Sequence, residues 1–159
     1  MSLFHKKAIV ILLLSVLLLV CGCSSSSSTG IGLNLEEVFG VTFPDGGETI
    51  YSYVRPGGFD YSQYCVIRFD QPVQVDGHPW KEVDDHTVNW ATSFINNLIK
   101  IQEVHEEERI PSTFLPDYQK IKYSHVGKNW SENAKRYTDN LMLLYCQETT
   151  TIYVLINIL

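Results

Sequence analysis

The first long apolar block in this chain is Ala8 to Val20, interrupted only by Ser15 and preceded by His5, Lys6 and Lys7. As a helix the block spans roughly 20 Å at about 1.5 Å per residue. That is short of the ~20 apolar residues of a bilayer span and well sized for the apolar core of a signal peptide. Beyond it the pattern changes period. Thr49 to Val54 is β-branched and aromatic and predicts a strand. Ser62 to Phe69 alternates, with Gln63, Cys65, Ile67 and Phe69 on one face and Tyr64, Val66 and Arg68 on the other. Pro56-Gly57-Gly58 separates the two segments, and the short gap predicts a hairpin.

A helical period follows. Ala91, Phe94, Ile95, Leu98 and Ile101 recur at three-and-four spacing, the stripe of an amphipathic helix. Asp85 or Thr87 supplies a cap, the acidic tail through Glu108 extends the helix, and Pro111 stops it. Upstream, Asn34 caps a short helix over Leu35–Phe39 with Glu36 and Glu37 in its first turn, and Gly40 ends it. Between Phe114 and Asn133 the period is weak. The alternation of Gln119, Ile121 and Tyr123 with Lys120 and Lys122 allows a short edge strand. The C-terminus carries two apolar strands, Leu141 to Cys146 and Thr151 to Ile158. The last has Ile152, Val154, Ile156 and Ile158 on one face and Tyr153 and Leu155 on the other, the mark of a central strand covered on both sides. These elements predict an α+β fold: an antiparallel sheet of four to five strands packed against one main helix, with a short N-terminal helix, as one domain over residues 32–159.

Val20-Cys21-Gly22-Cys23, at the end of the first apolar block, resembles the lipobox of bacterial lipoproteins. The resemblance implies that residues 1–22 are a signal peptide, that Cys23 receives a diacylglyceryl group, and that the chain is then cut after Gly22. It further implies a cell-membrane protein held by lipid at the extracytoplasmic face, since two acyl chains suffice for stable anchoring. The tract Ser24 to Ser28, Thr29 and Gly30 has nothing apolar to bury and predicts a tether over residues 23–31.

The charge balance is acidic, with 12 Lys and Arg against 18 Asp and Glu, and the loss of Lys6 and Lys7 with the signal would take the formal charge from −6 to −8. That balance disfavours nucleic acid and anionic headgroups as partners. Cys65 and Cys146 are the thiols of the exposed domain. Their extracytoplasmic setting permits a disulfide, while their apolar strand neighbours equally suit two buried thiols. Histidines at 78, 86, 105 and 125 lack the spacing of a metal site, and Asp84-Asp85-His86 reads as polar residues ahead of a helix. No metal or other cofactor is expected. No phosphate-cradling loop or nucleophile elbow is present. An envelope-acting hydrolase would require a pocket joining His86 or His78 to Asp84 and a second carboxylate.

Aromatic residues are abundant. Tyr51, Tyr53, Tyr61 and Tyr64 on the first hairpin, with Trp80 and Trp130 in irregular segments, are candidates for a recognition surface. Such side chains offer rigid contact area with a polar handle. Residues 33–159, with Val41-Thr-Phe-Pro44, Gly57-Gly58-Phe59, Asn140-Leu-Met-Leu-Leu-Tyr145 and Thr151-Ile-Tyr-Val-Leu155, resemble small extracytoplasmic proteins of Firmicutes. Those proteins often carry a histidine before the paired glycines and Asp-Gly after them, where this chain has Arg55-Pro56 and Asp60-Tyr61. The resemblance implies a location and no activity. The expected role is a binding or interaction module for a peptide, glycan or protein. The alternatives are a structural or assembly component of the envelope, or the hydrolase just described.

Overall fold

A computed structural model describes residues 31–55, 60–102 and 110–159. The segment expected to be a signal peptide, Cys23, the serine tract up to Gly30, the Pro56-Gly57-Gly58 break and the acidic tail 103–109 lie outside the described residues, as does the Ile101 side chain.

The N-terminal helix α1 (Leu35–Phe39) forms as its sequence dictates. The Asn34 side chain accepts from the Glu37 N–H at 3.3 Å, and Gly40 ends the helix in the left-handed region at φ 71. The strands β1 (Glu48–Val54) and β2 (Tyr61–Arg68) pair antiparallel as the expected hairpin. A two-residue strand β3 (Lys81–Glu82) precedes the main helix α2 (Asp85–Gln102). Three long strands complete the chain: β4 (Ile121–Ser131), β5 (Arg136–Cys146) and β6 (Thr151–Ile158). All pairings are antiparallel, in the order β1-β2-β6-β5-β4-β3.

The α+β architecture therefore stands, with six strands where four or five were expected. The difference arises in the weakly patterned stretch. Instead of a short strand near 119–123, an 11-residue strand pairs along its length with β5, which itself begins at Arg136 rather than Leu141. The cap of α2 also differs. Asp84, rather than Asp85 or Thr87, does the capping: its Oδ1 accepts from the Thr87 N–H at 2.7 Å and from the Thr87 hydroxyl at 2.6 Å. These bonds favour the ionised carboxylate and hold the Asp84 pKa below its ordinary value.

The sheet is covered on both faces, which makes three layers. On one face α1 and the segment Phe69–Trp80 cover Cys65, Ile67, Leu141, Leu143, Ile152, Val154 and Ile156. That segment is pinned through Val73, whose N–H donates to the Tyr145 hydroxyl at 3.1 Å and whose carbonyl accepts from Trp80 Nε1 at 3.0 Å. On the other face α2 lays Ala91, Ile95 and Leu98 against Tyr64, Val66, Met142, Leu144 and Leu155. The central strand β6 buries apolar side chains on both sides, as its two apolar faces predict. Each large aliphatic buried there contributes about 1.5–3 kcal/mol relative to exposure.

The same alternation settles the cysteines. Cys65 belongs to the α1 face and Cys146 to the α2 face, so the sheet itself stands between them. Both are buried thiols and the candidate disulfide is not made. Burial pushes the Cys65 thiol up to about 11, against hydrogen bonds from Thr49 and Ser52 that act in the opposite sense. Among the described residues no helix is long and apolar enough to cross a membrane.

Candidate functional site

The apolar core on the α2 side stops one row short of the sheet's end. Pairing register aligns a different kind of residue there. Ser62 of β2 lies opposite Asn157 of β6, Asn157 opposite Asn140 of β5, and Asn140 opposite Gly127 of β4. Arg55 joins the row at the β1 side, its N–H donating to the Ser62 carbonyl at 2.9 Å. Alternation directs Ser62, Asn140 and Asn157 to the same face as Tyr64, Met142 and Leu155, towards α2. Successive residues of this small polar row therefore run across five strands, where the neighbouring row is apolar.

Helix α2 lies over this boundary. Its N-terminal half presents His86 and Trp90 at i,i+4 spacing above β4 and β5. Its middle presents Ser93 and Asn97 above Arg55 and Ser62. Two clefts open between helix and sheet, of about 430 and 260 Å³. They share Trp90, Arg136 and Asn157, so they form one groove along the polar row.

The larger end of the groove is built by the β4–β5 hairpin. Its outer half, beyond Gly127 and Asn140, extends past the last residues paired with β6. Tyr137 folds back over Gly127, where a Cβ would lie 2.5 Å from the ring. The ring occupies the space that glycine leaves. Asn129, at φ 56, bends the strand between the Lys128–Asp139 and Trp130–Tyr137 pairs. The Asn129 side chain donates to the Asp139 carboxylate, which holds that bend. Trp130 then meets Tyr137 edge-on, with ring centroids 5.1 Å apart at 74°. These rings remain 49% and 43% exposed, so they wall an open mouth rather than fill a core. On the opposite wall Trp90 stacks on Phe94 at 5.5 Å and lies 6.3 Å from the His125 ring.

Polar side chains in the groove are held in place. Asn140 donates to the Tyr137 carbonyl at 3.1 Å, and its Oδ1 lies 3.1 Å from His125 Nε2. Asn157, which lines both clefts, accepts at its Oδ1 from the Ser62 hydroxyl at 2.9 Å. Among the described residues the charged side chains lining the two clefts are Arg55 and Arg136, in a chain of formal charge −6. Among the described residues neither arginine makes an ion pair.

The residues expected to form a recognition surface are dispersed. Tyr64 is fully buried, its hydroxyl donating to the Phe114 carbonyl at 2.5 Å, and burial raises its pKa far above the ordinary value. Tyr51 stacks on Phe114 at 5.0 Å, and Tyr53 packs against the same α2-side core. Tyr61 lies on the other face, where its hydroxyl donates to Gln63. Trp80 stacks on Tyr145 at 4.9 Å. Of the six, Trp130 alone lines the groove.

The acid–base arrangement required of a hydrolase is not assembled. His86 reaches the groove, but Asp84 is occupied as a helix cap, and His78 lies beside the Gly40 carbonyl at the end of α1. Among the described residues no group of three His, Cys, Asp or Glu side chains is placed to hold a metal. Comparison with family models, curated proteins and solved structures finds no match to this chain.

Proposed function

We propose that this protein is a lipid-anchored recognition module of the extracytoplasmic membrane face, and that the groove between α2 and the β4–β5 hairpin is its binding site. The observation that carries the reading is the mouth of the groove. Two large aromatic rings stand nearly half exposed against each other beside an arginine that makes no ion pair among the described residues. A folding core has no use for either feature. Exposed Trp and Tyr with Arg are the residue types that dominate binding energy at recognition surfaces. The lipobox at Cys23 and the serine tether support the location.

Two measurements test the proposal. Metabolic labelling with a fatty-acid analogue should mark the wild-type protein and fail on Cys23→Ala, which should also leave the membrane fraction. Retained label on Cys23→Ala would overturn the anchor. Membranes carrying wild-type protein should retain solubilised envelope polymer, and Trp130→Ala should reduce retention at least tenfold. Equal retention by the two would overturn the site. Loss of a concentration-dependent dimer in Trp130→Ala, with no polymer retained by either protein, would favour an assembly role instead.

A further inference from the structure

The geometry points to an acidic oligosaccharide, a short chain of sugar rings bearing carboxylates, as the ligand of this groove. The inference rests on the recognition reading above and adds the ligand's chemistry. Three features carry it.

First, the groove carries two cationic side chains. Arg55 lines the smaller cleft, Arg136 and Asn157 line both, and among the described residues no Asp or Glu side chain lines either, while Glu132 at the mouth accepts from the Trp130 indole and pairs with Lys135. The molecule as a whole is acidic. Guanidinium forks match carboxylates in two-point geometry.

Second, the groove is elongated and crosses strands. The row runs from Gly127, under the Tyr137 ring on β4, through the polar residues Asn140, Asn157 and Ser62 to Arg55 just past the end of β1. At about 4.8 Å per strand this is roughly 19 Å, the reach of a short linear oligomer rather than of a single ion.

Third, its walls are flat aromatic plates and its floor is amide and hydroxyl. Trp90, Trp130 and Tyr137 present ring surfaces against which the apolar face of a pyranose can lie. Asn157, positioned by the buried Ser62 hydroxyl, supplies hydrogen bonding to ring hydroxyls. An acidic peptide is favoured less. Capture of a peptide by its main chain uses an open strand edge, whereas this floor is the face of five strands already paired with one another.

The test uses the full-length protein in detergent and follows tryptophan fluorescence and heat of binding. The probes are three acidic tetrasaccharides (tetragalacturonate, tetramannuronate and a hyaluronan tetrasaccharide), with neutral maltotetraose and tetraglutamate as matched controls. At least one acidic tetrasaccharide should bind tenfold or more tightly than either control and weaken as salt rises. Arg136→Gln and, independently, Arg55→Gln should each weaken it about tenfold, a change of about 1.4 kcal/mol, with circular dichroism unchanged. Binding by none of the acidic sugars overturns the inference. Tighter binding of maltotetraose or tetraglutamate, lost in Trp130→Ala, overturns the ligand class and leaves the recognition site standing. Acidic-sugar binding that survives Trp130→Ala, Arg136→Gln and Arg55→Gln overturns both.

Discussion

Gly127→Ala adds one methyl group at the point where the hairpin end of the groove is assembled. The new Cβ would lie 2.5 Å from Cγ and Cδ2 of Tyr137 and 3.1 Å from its Cβ. Carbon contacts settle at about 3.5–4.0 Å, so the ring must retreat by roughly 1 Å. Overpacking costs about 1–3 kcal/mol. Tyr137 is 43% exposed and can swing outward, which places the cost near the lower end of that range. Replacing glycine in a strand returns about 0.5–1 kcal/mol of backbone entropy. The net loss should therefore be small, between about 0 and 1 kcal/mol. In a Tyr137→Ala background the obstruction is gone, and the same substitution should stabilise by about 0.5–1 kcal/mol. Urea denaturation of the four proteins, followed by circular dichroism, gives the coupling directly, expected at about 1–2 kcal/mol. Equal effects of Gly127→Ala in both backgrounds, within about 0.3 kcal/mol, would refute the close packing of Tyr137 on Gly127. The displaced ring should also disturb Trp130, visible as a red shift of its emission.

Other expectations follow from the layers around the sheet. Cys65 should resist iodoacetamide in the native protein and react on unfolding. Because its folded pKa is raised, its stabilising contribution is intact below its ordinary value of 9.0 and is lost as pH climbs towards about 11. Cys65→Ala should lack that alkaline component in a pH series of urea midpoints. Trp80→Phe keeps the stacking surface over Tyr145 but leaves the Val73 carbonyl without its donor, and should destabilise by about 1–3 kcal/mol in the same assay. Asp84→Ala should lower the melting temperature at neutral pH by removing the cap of α2. With its folded pKa depressed, the wild-type advantage should be present above the ordinary carboxylate value of 3.8 and should vanish as pH falls through the lower folded value.

The sheet was legible where one residue type dominates a face. Two apolar faces on the last strand announced a central position, and the three-and-four stripe from Ala91 to Leu98 announced the covering helix. The site was not legible in that way, because its residues come together only through strand register. Asn140 and Asn157 stand out as polar residues at the ends of apolar strands. That signal could have marked a solvent boundary, but nothing local says that they face each other and Ser62. Arg136 and Tyr137 were hidden by the Ser131–Lys135 turn, whose polar sequence masks a long hairpin. The tyrosines misled for a related reason. Their number suggested a surface, while a sheet covered on both faces needs large side chains to fill its layers, and Tyr51, Tyr53 and Tyr64 pack there.

The account stands most directly on where a ligand protects the protein. Hydrogen exchange should be measured by mass spectrometry on the full-length protein in detergent, with and without a saturating acidic tetrasaccharide. Added protection is expected in α2 from His86 to Asn97, in the β4–β5 hairpin from Tyr123 to Asn140, and around Asn157, with no change over α1 and Phe69–Trp80. Protection confined to the α1 face, or a ligand that binds tightly yet protects none of the groove, would contradict it.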